Sequence, residues 1–265
     1  MDNAHLRDLL WYSGIAIDIV VAGRLAQLRL MGRYPVLFAY QCVASVRGLV
    51  LVVLLHGSRR LLGFYGPVYF ASQLVVWILY FLLIIELYSR MVEEFSGIRR
   101  LGNLVLYSGL GIVAAACSIL MLSDHQAGFD YYPLVSYLAL QLRSVFLSLS
   151  ALTLLLLLFV AHYRIRIRRN VWILYAFFGT YFVTSAAMFT MRRYFGAAFD
   201  PVRNFVGSLS YLCCLSGIAW FLSKAGEAES RPISVFGSKG SQELDAALSL
   251  QLQSFNQVLV KVLKQ

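Results

Sequence analysis

Lysine is missing from the first 223 residues of this chain; its lysines are Lys224, Lys239, Lys261 and Lys264. Charge of either sign is scarce, with 14% of residues being Asp, Glu, Lys or Arg. Cysteine occurs 4 times, proline 5 times and histidine 4 times. Each scarcity excludes something. No apolar stretch before Lys224 holds a lysine for a retinal-type Schiff base. Cys42, Cys117, Cys213 and Cys214 lie inside apolar runs without a CxxC pair, so neither a disulfide framework nor a zinc site is expected. His5, His56 and His125 come from separate segments without HxxxH spacing, which leaves no metal and no haem expected.

What is abundant is apolar surface. Hydrophobic residues make up 60% of the chain, and the mean hydropathy is +0.71. A soluble domain cannot hide that much, so the solvent for most of the surface is lipid. Runs near 9–29, 35–56, 65–88, 102–122, 133–161, 171–191 and 201–222 are each long enough to cross a hydrocarbon core of about 30 Å, which takes about 20 helical residues. Pro35, Pro67, Pro133 and Pro201 fall at or within a turn of these starts, where a missing N–H is harmless, and none is expected to interrupt a span. The opening MDNAHLRDLL has no basic region and no small-residue cleavage site, so the first span reads as a retained anchor.

The arginines set a direction. Arg29, Arg33, Arg90, Arg99, Arg100, Arg164, Arg166, Arg168 and Arg169 fall in the first, third and fifth connections, while the alternate connections hold Arg59, Arg60, Arg192 and Arg193. The positive-inside bias puts the N-terminus outside and the C-terminus inside a bacterial inner membrane. The net charge of +10 is therefore mainly a topology signal. The run RIRIRR has no soluble domain to present it to nucleic acid, and anionic lipid headgroups are its expected partner.

Four polar side chains fall at similar estimated depths. Counting from the outer surface at about 1.5 Å per residue, Asp18 is about 14 Å down, Arg143 about 15 Å, and Gln73 and Arg47 about 12 Å. Small residues share their faces: Gly14 and Ala22 with Asp18, Ala44 with Arg47, Ser136 and Ala139 with Arg143. A stripe of Asn204, Gly207, Ser208, Tyr211 and Cys214 on the last span, and Gln73 with Tyr80 on the third, complete an expected cluster of Asp18, Arg47, Gln73, Arg143, Asn204 and Tyr211. Asp18 is expected to pair with Arg47 or Arg143, since an unpaired intramembrane charge costs about 2.5 to 3.5 kcal/mol. The cluster reads as a structural ion pair, as a pocket for a small anionic or polar ligand, or as part of a conduction path.

Catalytic patterns are lacking. An intramembrane aspartyl protease needs a second membrane aspartate, GSLSY at 207–211 is not GxSxG, and EEFSGIRR reads as a solvated loop around Glu93 and Glu94. Glu86 and Arg90 are spaced to pair along one helix. Residues 223–240 read as a flexible linker. Residues 241–265 read as a cytoplasmic amphipathic helix with Ser241 as N-cap and an apolar stripe of Leu244, Leu248, Leu252, Phe255 and Leu259 suited to a partner or a second copy.

Residues 33–103, with YPVLFAY at 34–40 and ELY at 86–88, resemble an uncharacterised group of bacterial seven-helix membrane proteins. In that group YPxxFxY opens the second span and an E-[IL]-Y-R-type pattern closes the third. The resemblance implies architecture and no catalytic residue. The expectation is an all-α membrane protein: seven transmembrane helices over 1–222, the linker, and the terminal helix. Its expected role is non-enzymatic, a sensor-like or assembly module without cofactor; the alternatives are a transporter or channel subunit and an accessory subunit of a larger membrane complex.

Overall fold

Long apolar runs without internal hydrophilic breaks give long helices. The computed structural model describes residues 3–57, 59–93, 133–162, 166–227 and 230–232. It contains α1 (Asn3–Gln27), α2 (Pro35–His56), α3 (Arg59–Met91), α4 (Pro133–His162), α5 (Arg169–Phe195) and α6 (Asp200–Phe221). All 6 are long and apolar enough to cross a membrane. The expected span at 102–122 and the terminal helix at 241–265 lie outside the described residues.

Local chemistry explains the turns. The end of α1 closes in a Schellman motif, in which Leu30 N–H donates to Leu25 O at 2.9 Å and Arg29 N–H to Ala26 O at 3.0 Å. This puts Arg29 in the left-handed region at φ 56°, where glycine is the usual occupant. Pro35 starts α2, and Tyr34 before it makes no side-chain cap. Glu86 of α3 supplies that cap instead, accepting from Val36 N and Leu37 N at 3.1 Å each. Gly196, at φ 67°, ends α5 with its N–H on Arg192 O.

Third-span expectations need one correction. The helix begins at Arg59, before the expected 65, so Pro67 lies inside it. Pro67 is the ninth residue of the helix, past its first turn, so the Gly63 carbonyl lacks its usual backbone donor there.

The helices close into a ring: α1 packs on α2 and α6, α2 on α3, α3 on α4, α4 on α5, and α5 on α6. The α3–α4 seam is the lightest, and α3 also touches α5 across the middle. Where α5 meets α6, the ring of Phe177 occupies the space a side chain at Gly217 would need. The ring's interior is aromatic and aliphatic, with Tyr40, Tyr80, Phe146, Phe178 and Phe182 buried, while Val46, Val53, Ile78, Leu158 and Trp220 face outward. An apolar outside is the surface expected of a chain solvated by lipid.

Side-chain pairings give the helix directions. Glu86 at the end of α3 meets the start of α2, so α2 and α3 are antiparallel. Tyr80 packs on Phe146 and Tyr88 on Phe159, so α3 and α4 run the same way. One end of the bundle therefore gathers the C-termini of α1, α3, α4 and α6 with Arg24, Arg33, Arg90 and Arg168, and is called the basic end below; the other is the far end. At the basic end β1 (Arg166–Arg168) pairs antiparallel with β2 (Ser230–Pro232), which follows the short 3-10 turn Ala225–Glu227.

Candidate functional site

The polar residues of the spans occupy two separate layers, and the deeper one is a row of phenols. Asp18, only 4% exposed, accepts a hydrogen bond from Tyr211 of α6 at 2.6 Å. Tyr211 meets Tyr40 of α2 at 3.0 Å, and Tyr40 meets Tyr80 of α3 at 3.1 Å. A hydroxyl has one proton to donate. With the Tyr211 proton on Asp18, Tyr40 must donate to Tyr211 and Tyr80 to Tyr40, so the row points one way, toward the carboxylate. Such aligned bonds polarise and strengthen one another. The Tyr181 ring of α5 sits 5.5 Å from Tyr211 and 6.2 Å from Tyr80, filling the rest of the ring's axis.

Arg47 holds the second layer. Its Nε donates to Ser72 at 3.1 Å, its Nη2 to the Gln73 carbonyl at 2.6 Å, and its guanidinium lies 4.9 Å from the centroid of Tyr69. On α6, Arg203 lies over the Phe189 ring at 5.2 Å and pairs with Asp200 at 3.1 Å, while Arg192 takes the same carboxylate at 2.6 Å. Arg143 is buried one turn from Phe146, whose ring stacks on Phe189.

The expected single cluster is thus corrected. Asp18 and Tyr211 meet, and Arg47 and Gln73 meet, but among the described residues no ion pair joins Asp18 to Arg47 or Arg143, and its partner is a phenol. Asn204 is exposed and accepts from Arg203 at 2.9 Å. The apolar part of α1 starts at Asp8, close to the expected 9, so the count along one helix holds, and what it lacks is the offset between helices: Tyr211 of α6 stands level with Asp18. Arg47 lies seven residues beyond Tyr40, or about 10 Å farther toward the far end. Sequence reasoning did not single out Tyr181; the available signal was a tyrosine in mid-span, away from the interfacial belt.

The basic end carries a third polar assembly. Arg24 of α1 donates to Leu222 O at 3.2 Å, capping the C-terminus of α6 with a cation. Tyr34 donates to Glu227 at 2.5 Å, and Asn170 holds both Ser223 O at 2.7 Å and Glu227 at 2.8 Å. Arg33 bonds Glu93 at 2.5 Å and reaches Glu227 at 3.4 Å, and Arg168 lies 3.5 Å from Glu93 and 3.8 Å from Glu227. Burial, and then the Glu227 carboxylate, push the Tyr34 phenol well above its usual range, so it stays a neutral donor. Burial opposes the charge on Arg33, yet Glu93 and Glu227 outweigh it and raise its pKa.

Glu93 is exposed in the turn after α3, as expected of a solvated loop residue, and arginines from three segments gather on it; Glu94 lies outside the described residues. Glu86 turns to the α2 N-terminus, leaving Arg90 to Glu93 at 3.5 Å. Arg166 and Arg168 belong to a strand. The first residues of the expected linker, 223–227 and 230–232, are folded against the bundle; 233–240 lie outside the described residues.

Cys42, Cys213 and Cys214 are free thiols, and among the described residues no three His, Cys, Asp or Glu side chains gather to hold a metal. No protein-family model, curated protein or solved structure matches the chain.

Proposed function

We propose that the chain is a non-enzymatic, sensor-like membrane module in which α1 and α6 move together and pass changes on the polar axis to the segment that leaves α6. The observation that carries this reading is the double tie between those helices. Asp18 and Tyr211 join them inside the bundle, and Arg24 holds the α6 C-terminus at Leu222. From there Ser223 and Glu227 are held by Asn170, Tyr34 and Arg33. A rigid element with contacts at both ends is the kind of connection that couples distant sites.

In this reading the basic end faces the cytoplasm of a bacterial cell, the N-terminus is outside, and the terminal helix 241–265 presents Leu244, Leu248, Leu252, Phe255 and Leu259 to a second copy or a membrane-complex partner. The crossing of 102–122 as a seventh span is supported by the parallel directions of α3 and α4. The chain leaves the described part at Glu93 on the basic end and re-enters at Pro133 on the far end.

The test uses the full chain in lipid nanodiscs. Replacing Leu248 and Leu252 by Glu should abolish self-association or partner capture, read as particle mass, while leaving the thermal midpoint of the bundle unchanged. Unchanged mass and unchanged partners would remove the assembly role. A transporter or channel subunit is the second reading, favoured by the phenol row that crosses the bundle interior and by Pro67 inside α3; ion flux into liposomes that vanishes with Tyr40→Phe would support it over the first.

A further inference from the structure

We infer that the chain leaving α6, residues 223–227 and 230–232, is an ionic latch, clasped to the basic end through Glu227, that loosens as ionic strength rises and tightens as it falls. The inference deepens the module reading, on which it rests for its role, by naming what regulates the segment that leaves α6.

The dock is firmly built and the strap is not. Ile167 anchors β1 in the core at 2% exposure, and Tyr34 and Asn170 are fully buried. Against them the strap brings no apolar side chain. Residues 223–227 are Ser, Lys, Ala, Gly and Glu, and of these only Gly226 is buried, where a side chain would run into Asn170. Farther on, β2 is attached by backbone pairing, with Arg231 opposite Ile167. The apolar burial that holds the helices is missing here, so charge and hydrogen bonds hold the strap.

Glu227 collects that attachment. Its carboxylate accepts from Tyr34 at 2.5 Å and Asn170 at 2.8 Å, and it faces Arg33 at 3.4 Å and Arg168 at 3.8 Å. Side chains from the α1–α2 turn, β1 and α5 thus converge on one group. Both arginines are shared: Arg33 lies nearer to Glu93, at 2.5 Å, and so does Arg168, at 3.5 Å. When Glu227 leaves, each guanidinium still has a carboxylate, and the heavy penalty of a stranded charge does not oppose release. Arg33, Arg168 and Glu227 are half-buried and Glu93 is exposed, so ions reach the pairs. The screening length falls from about 10 Å at about 0.1 M salt to about 3 Å at about 1 M, which is shorter than the Glu227 ion contacts.

The strap's own N–H groups report its state. Ser223 N–H donates to Asn170 Oδ1 at 3.3 Å, Gly226 N–H to Ser223 Oγ at 3.1 Å and Glu227 N–H to Lys224 O at 3.3 Å. Their hydrogen exchange is measured in the full chain in phosphatidylcholine nanodiscs at about 0.1 M and about 1 M KCl, with the amides of α2 as internal reference. Wild-type exchange should rise about fivefold with salt, the scale of two partly exposed ion pairs. Glu227→Gln should exchange fast at both concentrations, with less than about a twofold salt response. Tyr34→Phe, which loses a neutral donor, should exchange faster than wild type and keep the salt response. Glu93→Gln should act in the opposite direction and slow exchange at low salt about twofold or more, because it leaves Arg33 and Arg168 to Glu227. A wild-type response under about twofold would overturn the latch. So would loosening by Glu93→Gln to the extent seen with Glu227→Gln, the pattern of a static network that needs every member. The salt response should persist in the chain carrying Leu248→Glu and Leu252→Glu, and its disappearance there would also overturn the latch. Association that survives those two substitutions removes the assembly role and leaves the latch standing.

Discussion

Replacing Glu86 by Gln tests the cap between α3 and α2 directly. The native carboxylate accepts from two backbone N–H groups at 3.1 Å each and lies at a helix N-terminus, with the side chain 9% exposed. Glutamine keeps one acceptor oxygen and turns an amide donor toward the second N–H. One charge-assisted hydrogen bond is lost, about 1.5 to 3 kcal/mol. The favourable meeting of the negative charge with the helix dipole is lost as well, about 0.3 to 1 kcal/mol. The sum is about 2 to 4 kcal/mol. Denaturant unfolding of the purified chain in mixed micelles, followed by circular dichroism, measures it. A loss below about 0.5 kcal/mol, the size of an ordinary surface change, would refute the cap. So would equal losses in Glu86→Gln and Glu86→Ala, because the glutamine should retain part of the bond.

Other perturbations probe the remaining links. Arg29→Gly should stabilise the chain by about 1 kcal/mol, since it relieves a left-handed residue at φ 56°; a destabilised variant in the same unfolding assay would contradict the Schellman turn. Tyr211→Phe should cost about 1.5 to 3 kcal/mol by leaving Asp18 without its donor. In double-mutant cycles it should couple strongly to Asp18→Asn, whereas Arg47→Gln should add to Asp18→Asn independently; the reverse pattern would restore an Asp18–Arg47 pair. Gly217→Val should cost about 1 to 3 kcal/mol through overpacking against Phe177, checked by the thermal midpoint, and an unchanged midpoint would mean that α5 and α6 stand farther apart.

The span pattern was legible because bilayer thickness and helix rise leave little freedom: α2 runs from Pro35 to His56 as the hydropathy and the proline indicated. Of the charges in apolar runs, Asp18 and Arg143 are buried, while Arg47 is half-buried between α2 and α3. Which partner each would choose was not legible. Pairing depends on the vertical offset between helices, which counting along a single span does not give: Tyr211 of α6 stands level with Asp18, while Arg47 meets Ser72 and Gln73 of α3. Charge complementarity favoured an arginine, but a phenol at the right height won. The pattern shared by Tyr34, Tyr40 and Glu86 was visible as a motif without a cause. Its cause is tertiary: Glu86 caps the helix that Pro35 opens, Tyr34 holds Glu227, and Tyr40 continues the phenol row. Glu227 gave no signal, because its role depends on a chain reversal after Phe221 that brings it back to α2 and α5.

Backbone hydrogen exchange over residues 223–231, compared between the wild-type chain and Asp18→Asn in nanodiscs, tests the coupling most directly. If α1 and α6 act as one connected element, the Asp18→Asn substitution speeds exchange in that segment about tenfold, equivalent to about 1.4 kcal/mol of lost protection. Faster exchange confined to the middle of α1 and α6, with 223–231 as protected as in the wild type, would contradict the account.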